Sequence, residues 1–278
     1  MTRISSVPAF AGRTALAGCT TLAGWTALAG CAAAAMLVVL SGCTTGGGAA
    51  SGPSKAVVTA VTDTARPQAD RDADANRKPA ETLAFAGIKP GDKVVDYLAG
   101  GGYFTRLFSD VVGPKGKVYA IGFPPRPNAP ANAPNPLAGI ASDPHFGNVS
   151  VVAVTKITEF TIPEPVDLFW TSRNYHDVHN AKGQADLNKA VFNALKPGGI
   201  YIVLDHSAEP GSGDRDSAKL HRIDPALVKT EVTAAGFEFV GQSDVLKNPA
   251  DDHTGRNAEE SIRGKTDQFI LKFRKPKK

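Results

Sequence analysis

The chain predicts an α/β fold, a mostly parallel sheet covered by helices on both faces, on three observations. Short β-branched or aromatic runs alternate with patterned helical stretches from residue 94 onward. A glycine turn, Gly100-Gly101-Gly102, sits between an apolar run ending in Asp96 and a helical stretch opening at Tyr103. A helix stop and tight turn, Lys196-Pro197-Gly198-Gly199, feeds a further apolar run.

The elements follow in order. Ala69 to Ala86 is charged on one side and apolar on the other, so it predicts a helical entry segment ending at Gly87, with Pro79 tolerated in a first turn. Strands are expected at Val94–Tyr97, Lys117–Ile121, Val149–Val154, Val166–Trp170 and Ile200–Leu204. Helices are expected at Phe104–Val112, Leu187–Leu195 and Pro225–Ala235, the last stopped by Gly236. Phe237–Val240 and Phe269–Phe273 alternate and close the fold as strands. Two stretches break the pattern: Phe123 to Phe146, with seven prolines, and the polar Lys247 to Arg263. Both are expected as surface loops.

The chain of 278 residues, 42% of them hydrophobic, is sufficient for one α/β domain behind a leader. Its formal net charge is +4, of which Arg3 and Arg13 in the leader supply two. So slight an excess argues against nucleic acid as a partner. The basic crowd from Lys272 to Lys278 is expected to be a solvated tail.

Arg3 and Arg13 precede a stretch without charge up to Lys55, whose most apolar part is Ala32 to Leu40. A basic start, a short apolar core and small residues predict an export signal. It ends Leu40-Ser41-Gly42-Cys43, which resembles the lipobox of bacterial lipoproteins. In that family the signal is cut before the cysteine and the thiol is acylated. Residues 1–43 are thus expected to be a signal peptide, Cys43 the lipidation site, 44–65 a flexible Gly/Ser/Thr/Ala tether, and 66–278 the folded domain. The expected location is the cell envelope, with the protein lipid-anchored on the periplasmic side of a bacterial membrane. Cys19 and Cys31 fall in near-repeats of the same pattern; with all three cysteines at or before residue 43, none remains to the domain.

A strand, a glycine turn and a helix N-terminus form a cradle of backbone N–H groups suited to an adenine-nucleotide-like ligand. The sequence Val94-Val95-Asp96-Tyr97-Leu98-Ala99-Gly100-Gly101-Gly102-Tyr103-Phe104-Thr105 resembles the first motif of class I S-adenosylmethionine-dependent methyltransferases, and Leu195-Lys196-Pro197-Gly198-Gly199 resembles the turn before their fifth strand. Arg173-Asn174-Tyr175-His176-Asp177, Asp205-His206-Ser207 and Leu220-His221-Arg222-Ile223-Asp224 are similar to segments of a bacterial group of exported proteins classed with them. The resemblance spans residues 66–276. It implies a Rossmann-like fold with an antiparallel C-terminal strand, S-adenosylmethionine as cofactor, and a small-molecule methyl acceptor. The cofactor would be bound by Asp96, Gly100, Gly101, Gly102, Thr105 and Asn174, with Asp96 fixing the turn or the amino-acid part, and Gly100 and Gly102 letting the backbone approach. Two positions depart from the pattern: the first motif glycine is Leu98, and Ala120-Ile121-Gly122-Phe123 lacks the acid expected to hold the ribose.

Candidate chemistry lies after the fourth and fifth strands, where ligands of open α/β sheets sit. His176, Asp177, His206 and His221 are the expected catalytic residues. His176 or His206 would take a proton from the acceptor, oriented by Asp177 or Asp205. Each of these histidines would serve equally as a hydrogen-bonded staple. His145 and His179 are expected at the surface, and Asp251, Asp252 and His253 in solvent. The same histidines and carboxylates also suit a metal-assisted hydrolase, although no tight ligand motif such as H-E-x-x-H is present and no metal ligand is assigned. A third reading is a ligand-binding envelope lipoprotein without catalysis.

Overall fold

The computed structural model describes residues 52–124, 130, 135–154 and 156–277. The expected signal peptide, Cys43 and the start of the tether lie outside the described residues.

Seven strands form one sheet: β1 Lys93–Tyr97, β2 Lys117–Gly122, β3 Val149–Ala153, β4 Val166–Ser172, β5 Leu195–His206, β6 Glu238–Ser243 and β7 Gln268–Arg274. Their order is β3-β2-β1-β4-β5-β7-β6. The first five run parallel, and β7 lies antiparallel between β5 and β6. This is the doubly wound arrangement with an antiparallel C-terminal strand that the sequence implies.

The period of two along each strand divides the interior into two cores. Val94, Leu168, Trp170 and Ile202 face one side, and Val95, Phe169, Tyr201 and Val203 face the other; all are buried. The first side is covered by helices α1 Lys55–Thr62, α3 Pro79–Ala86 and α4 Tyr103–Val112, whose Phe104 and Phe108 pack on Trp170. The second is covered by α6 Tyr175–Asn180, α7 Gln184–Ala194 and α9 Pro225–Ala234, with the short α8 Ser217–Leu220 against α6.

Several expectations need correction. Helix α1 occupies part of the expected tether 44–65, and its Val57 and Ala60 are each only 1% exposed. An apolar stripe that finds a core to bury in becomes structure whatever the composition of its neighbours. The entry segment is two helices, α2 Gln68–Arg77 and α3, because Lys78 turns left-handed (φ 42°) ahead of Pro79. The turn 196–199 lies within β5, which begins at Leu195. The proline-rich connection carries α5 Pro136–Ser142 and a 3₁₀ turn, Pro144–Phe146, which bury Leu137, Ile140 and Phe146. The polar stretch 247–263 stays irregular, yet Asp251 is buried in a two-pronged pair with Arg222 (2.8 and 3.0 Å), not in solvent.

Candidate active site

A cavity of about 380 Å³ opens where β1 and β4 end, and is walled on one side by α2. Its size falls within the range of about 300–1,000 Å³ usual for small-molecule sites. Asp96, the end of the apolar run, lies on this cavity and is almost fully buried. Burial lifts its carboxyl to about 7, against the opposing Thr105 hydrogen bond and the Arg77 charge.

The turn after β1 keeps a glycine-like backbone where glycine is missing. Leu98 adopts φ 49°, the left-handed region, and Gly100 follows at φ 57°. A Cβ on Gly100 or Gly101 would meet nothing within 4 Å, and both residues line the cavity. Gly102 is different. It is not among the lining residues, and a Cβ there would come within 2.2 Å of Ile140. Its missing side chain makes room for α5, and its left-handed backbone (φ 80°) leads into α4. Gly122, at the end of β2, likewise yields to Leu137, whose Cδ1 would lie 2.6 Å from a Cβ.

Thr105 also departs from expectation. It is fully buried and donates its hydroxyl to Asp96 Oδ2 at 2.6 Å, so it holds the carboxylate instead of lining the cavity. Asn174 lines the cavity, and its amide donates to the carbonyls of Tyr97 (3.1 Å) and Leu98 (3.3 Å), tying the end of β4 to the turn.

The sequence reading missed three charged residues of this cavity. Asp70 and Arg77 project from α2, and Arg173 follows β4. Asp70 pairs with Arg106 at 2.8 Å. Arg77 stacks on Tyr103, 4.2 Å from the ring centroid, and Arg173 donates to Gln268 at 3.0 Å; neither has a carboxylate partner among the described residues. Burial, with Arg77 nearby, pulls the Arg173 guanidinium down to about 10. Two guanidinium groups with no carboxylate in direct contact can receive an anionic group in the cavity. The available signal was the helical spacing of Asp70, Ala73 and Arg77, which puts three lining residues on one face.

The expected catalytic residues separate into a cluster and an outlier. His176 lies in the first turn of α6, and both its backbone N–H (2.9 Å) and its Nδ1 (2.8 Å) donate to Asp205 at the end of β5. Burial opposes charge on His176, but the Asp205 carboxylate outweighs it and holds the imidazole above its ordinary value. With Nδ1 engaged, Nε2 faces His221 Nδ1 at 3.3 Å and Asp177 Oδ1 at 3.5 Å; His221 Nδ1 and Asp177 Oδ1 are 3.4 Å apart. His206 stands outside this group. Its Nδ1 meets Thr266 Oγ1 at 2.8 Å, and burial drives its pKa to about 3, so it is a neutral, weak base near pH 7.

A second histidine–carboxylate cluster lies at the opposite end of the strands. His145, expected at the surface, meets Asp63 at 2.6 Å and Asp110 at 3.4 Å. Burial and the Asp63 charge lift Asp110 to about 7. His179, also expected at the surface, is largely covered and bonded to Glu231 at 2.9 Å.

No family model matches the chain. Among curated proteins it is 29% identical over 197 residues to the ubiquinone/menaquinone biosynthesis C-methyltransferase UbiE of Ectopseudomonas mendocina, covering 69% of this chain and 66% of that protein. It is 27% identical over 196 residues to the protein of the same name from Vibrio vulnificus, covering 69% and 65%. The chain thus spans just under two thirds of the length of these relatives. Among solved structures it matches a SAM-dependent methyltransferase from Aquifex aeolicus at a TM-score of 0.50 and 19% identity, over 75% of this chain and 98% of that one. It matches the [4+2]-cyclase SpnF at 0.52 and 19% identity, over 75% and 81%. The fold is the Rossmann-like fold of class I methyltransferases.

Proposed function

We propose that the chain transfers a methyl group from S-adenosylmethionine to a small-molecule acceptor. The observation that carries this reading is the cavity after β1, in which a glycine turn, a buried carboxylate and two guanidinium groups with no carboxylate in direct contact meet. Curated relatives named C-methyltransferases at 27–29% identity support it.

The residues present fit the cofactor. Gly100 and Gly101 leave backbone open to the cavity with no Cβ in the way. Arg77 and Arg173 suit its carboxylate, and Asp96, ionised above about pH 7, suits its ammonium group. Asn174 keeps the turn fixed to β4. The fit is least complete at the end of β2, where Gly122-Phe123 offers no side-chain acceptor to a ribose and Leu137 packs close by. Bound there, S-adenosylmethionine supplies an electrophilic methyl group on a sulfonium centre. The protein's part is alignment of acceptor, methyl and sulfur, which removes much of the barrier without a base. His176 and Asp177 follow the cavity residue Asn174 within three positions, and we assign them, with His221, to the acceptor side.

We also propose that the chain reaches the bacterial envelope as a lipoprotein acylated at Cys43, on the strength of the basic start, the apolar run and Leu40-Ser41-Gly42-Cys43. Cys43→Ala should shift the protein out of the membrane fraction or leave its leader uncut; unchanged fractionation overturns this part.

Calorimetric titration with S-adenosylmethionine and S-adenosylhomocysteine tests the activity. Arg77→Ala and Arg173→Ala should each weaken binding about ten- to a hundredfold, the loss of a charged hydrogen bond of about 1.5–3 kcal/mol. An affinity indifferent to both, or no binding by the parent chain, overturns the reading.

A further inference from the structure

We infer that His176, Asp177 and His221 form the binding site of one divalent transition-metal ion of the zinc type. Their ligand atoms, His176 Nε2, His221 Nδ1 and Asp177 Oδ1, stand at the corners of a triangle with sides of 3.3, 3.4 and 3.5 Å. An ion held tetrahedrally at about 2.0–2.1 Å spaces any two of its ligands about 3.3–3.4 Å apart. The side chains already stand at the spacing such an ion imposes. All three sides exceed the 2.7–3.2 Å typical of a hydrogen bond, so the groups gain little from one another directly.

The donor set points the same way. Two imidazole nitrogens and one carboxylate oxygen suit zinc and its neighbours, whereas calcium and magnesium prefer oxygen throughout. Behind His176, Asp205 accepts from Nδ1 at 2.8 Å and from the backbone N–H at 2.9 Å. A carboxylate placed there fixes the ring's tautomer, aims Nε2 at the ion and strengthens it as a donor. His176 is buried, while the side chains of Asp177 and His221 are 48% and 27% exposed. Three ligands cover one face of the tetrahedron, and the fourth vertex is left for water or an oxygen of a bound molecule, the pattern of a catalytic rather than a structural ion. One contact must change. The exposed Arg256 lies 3.1 Å from His221 Nε2; when Nδ1 binds the ion that nitrogen carries the proton, and the guanidinium turns away into solvent.

The site stands independently of the methyl-transfer reading, and its test requires no activity. The full chain, freed of metal with a chelator, is titrated with Co²⁺ and then Zn²⁺, followed by visible absorption and by competition with a chromophoric chelator. One equivalent of Co²⁺ should give the intense bands of a tetrahedral site, and Zn²⁺ should erase them. His221→Ala and Asp177→Asn, both at partly exposed positions, should weaken binding at least about tenfold with the near-ultraviolet dichroism unchanged. Asp205→Asn should weaken it about 10- to 100-fold. His145→Ala, in the other cluster, should leave it intact. Absence of stoichiometric binding, binding that survives His221→Ala and Asp177→Asn, or binding lost in His145→Ala overturns the site. S-adenosylmethionine affinity, measured separately, is untouched by any of these outcomes.

Discussion

The two histidine–carboxylate clusters draw on the same residue types, two histidines and an aspartate in one and two aspartates and a histidine in the other, and differ in how those residues are held. At the carboxyl ends of the strands, His176 is buried and braced from behind by Asp205, itself fully buried and held below its ordinary range, despite burial, by His176 and neighbouring N–H groups. At the amino ends, His145 is 43% exposed and contacts Asp63 directly at 2.6 Å, while burial lifts Asp110 to about 7. In the first, a carboxylate orients an imidazole whose other nitrogen stays available. In the second, a single nitrogen, His145 Nε2, meets both Asp63 and Asp110, and among the described residues no carboxylate braces the ring from its other side. Composition alone does not make a site: an oriented donor with an open side does.

The largest effect expected from this contrast is on stability. Asp205→Ala strips the counter-charge from a buried imidazole and should cost about 3–5 kcal/mol in urea unfolding. Asp63→Ala, in the partly exposed pair, should cost no more than about 1 kcal/mol. Equal losses would break the comparison.

The second prediction concerns pH. Asp110 binds its proton more tightly folded than unfolded, so its contribution to stability falls as pH rises from the ordinary carboxylate range through about 7. His145, raised chiefly by its hydrogen bond to Asp63, contributes fully below its unfolded value and loses that contribution as pH climbs through the folded one. Asp110→Asn should therefore gain stability relative to the parent chain between about pH 5 and 8, read from urea midpoints across that window. A constant difference would mean Asp110 titrates normally.

The smallest effect separates backbone from side chain. His221 holds φ 54°, a left-handed conformation that costs a non-glycine residue about 1–2 kcal/mol. His221→Gly should raise stability by up to about 1 kcal/mol while removing a ligand atom from its cluster. A loss of stability would mean the side chain's contacts outweigh the strain.

Much of the fold was legible because its strands are β-branched runs whose alternate residues face opposite cores, as Val94 and Val95 do. Short helices were not: α5 and α6, of seven and six residues, carry too few turns to show a period. The chemistry-bearing histidines could be named one by one, but His176, Asp205 and His221 come from separate segments, and no spacing along the chain announces their approach. Arg77 was hidden in a polar helix that reads as a solvent face. The buried Arg222–Asp251 pair was hidden by 29 residues of separation. Nor can a run of three glycines say on which side each missing Cβ would have pointed. Gly100 and Gly101 face the cavity, and Gly102 faces a helix.

Because Ile140 packs where a Gly102 side chain would stand, and Leu137 where one on Gly122 at the end of β2 would stand, any shift of the turn toward α5 meets that helix directly. A guest that nudges the turn by the breadth of a methyl group hands that displacement on to α5. A fluorescent reporter at the exposed Ala138 would then register occupancy of a chamber it never touches.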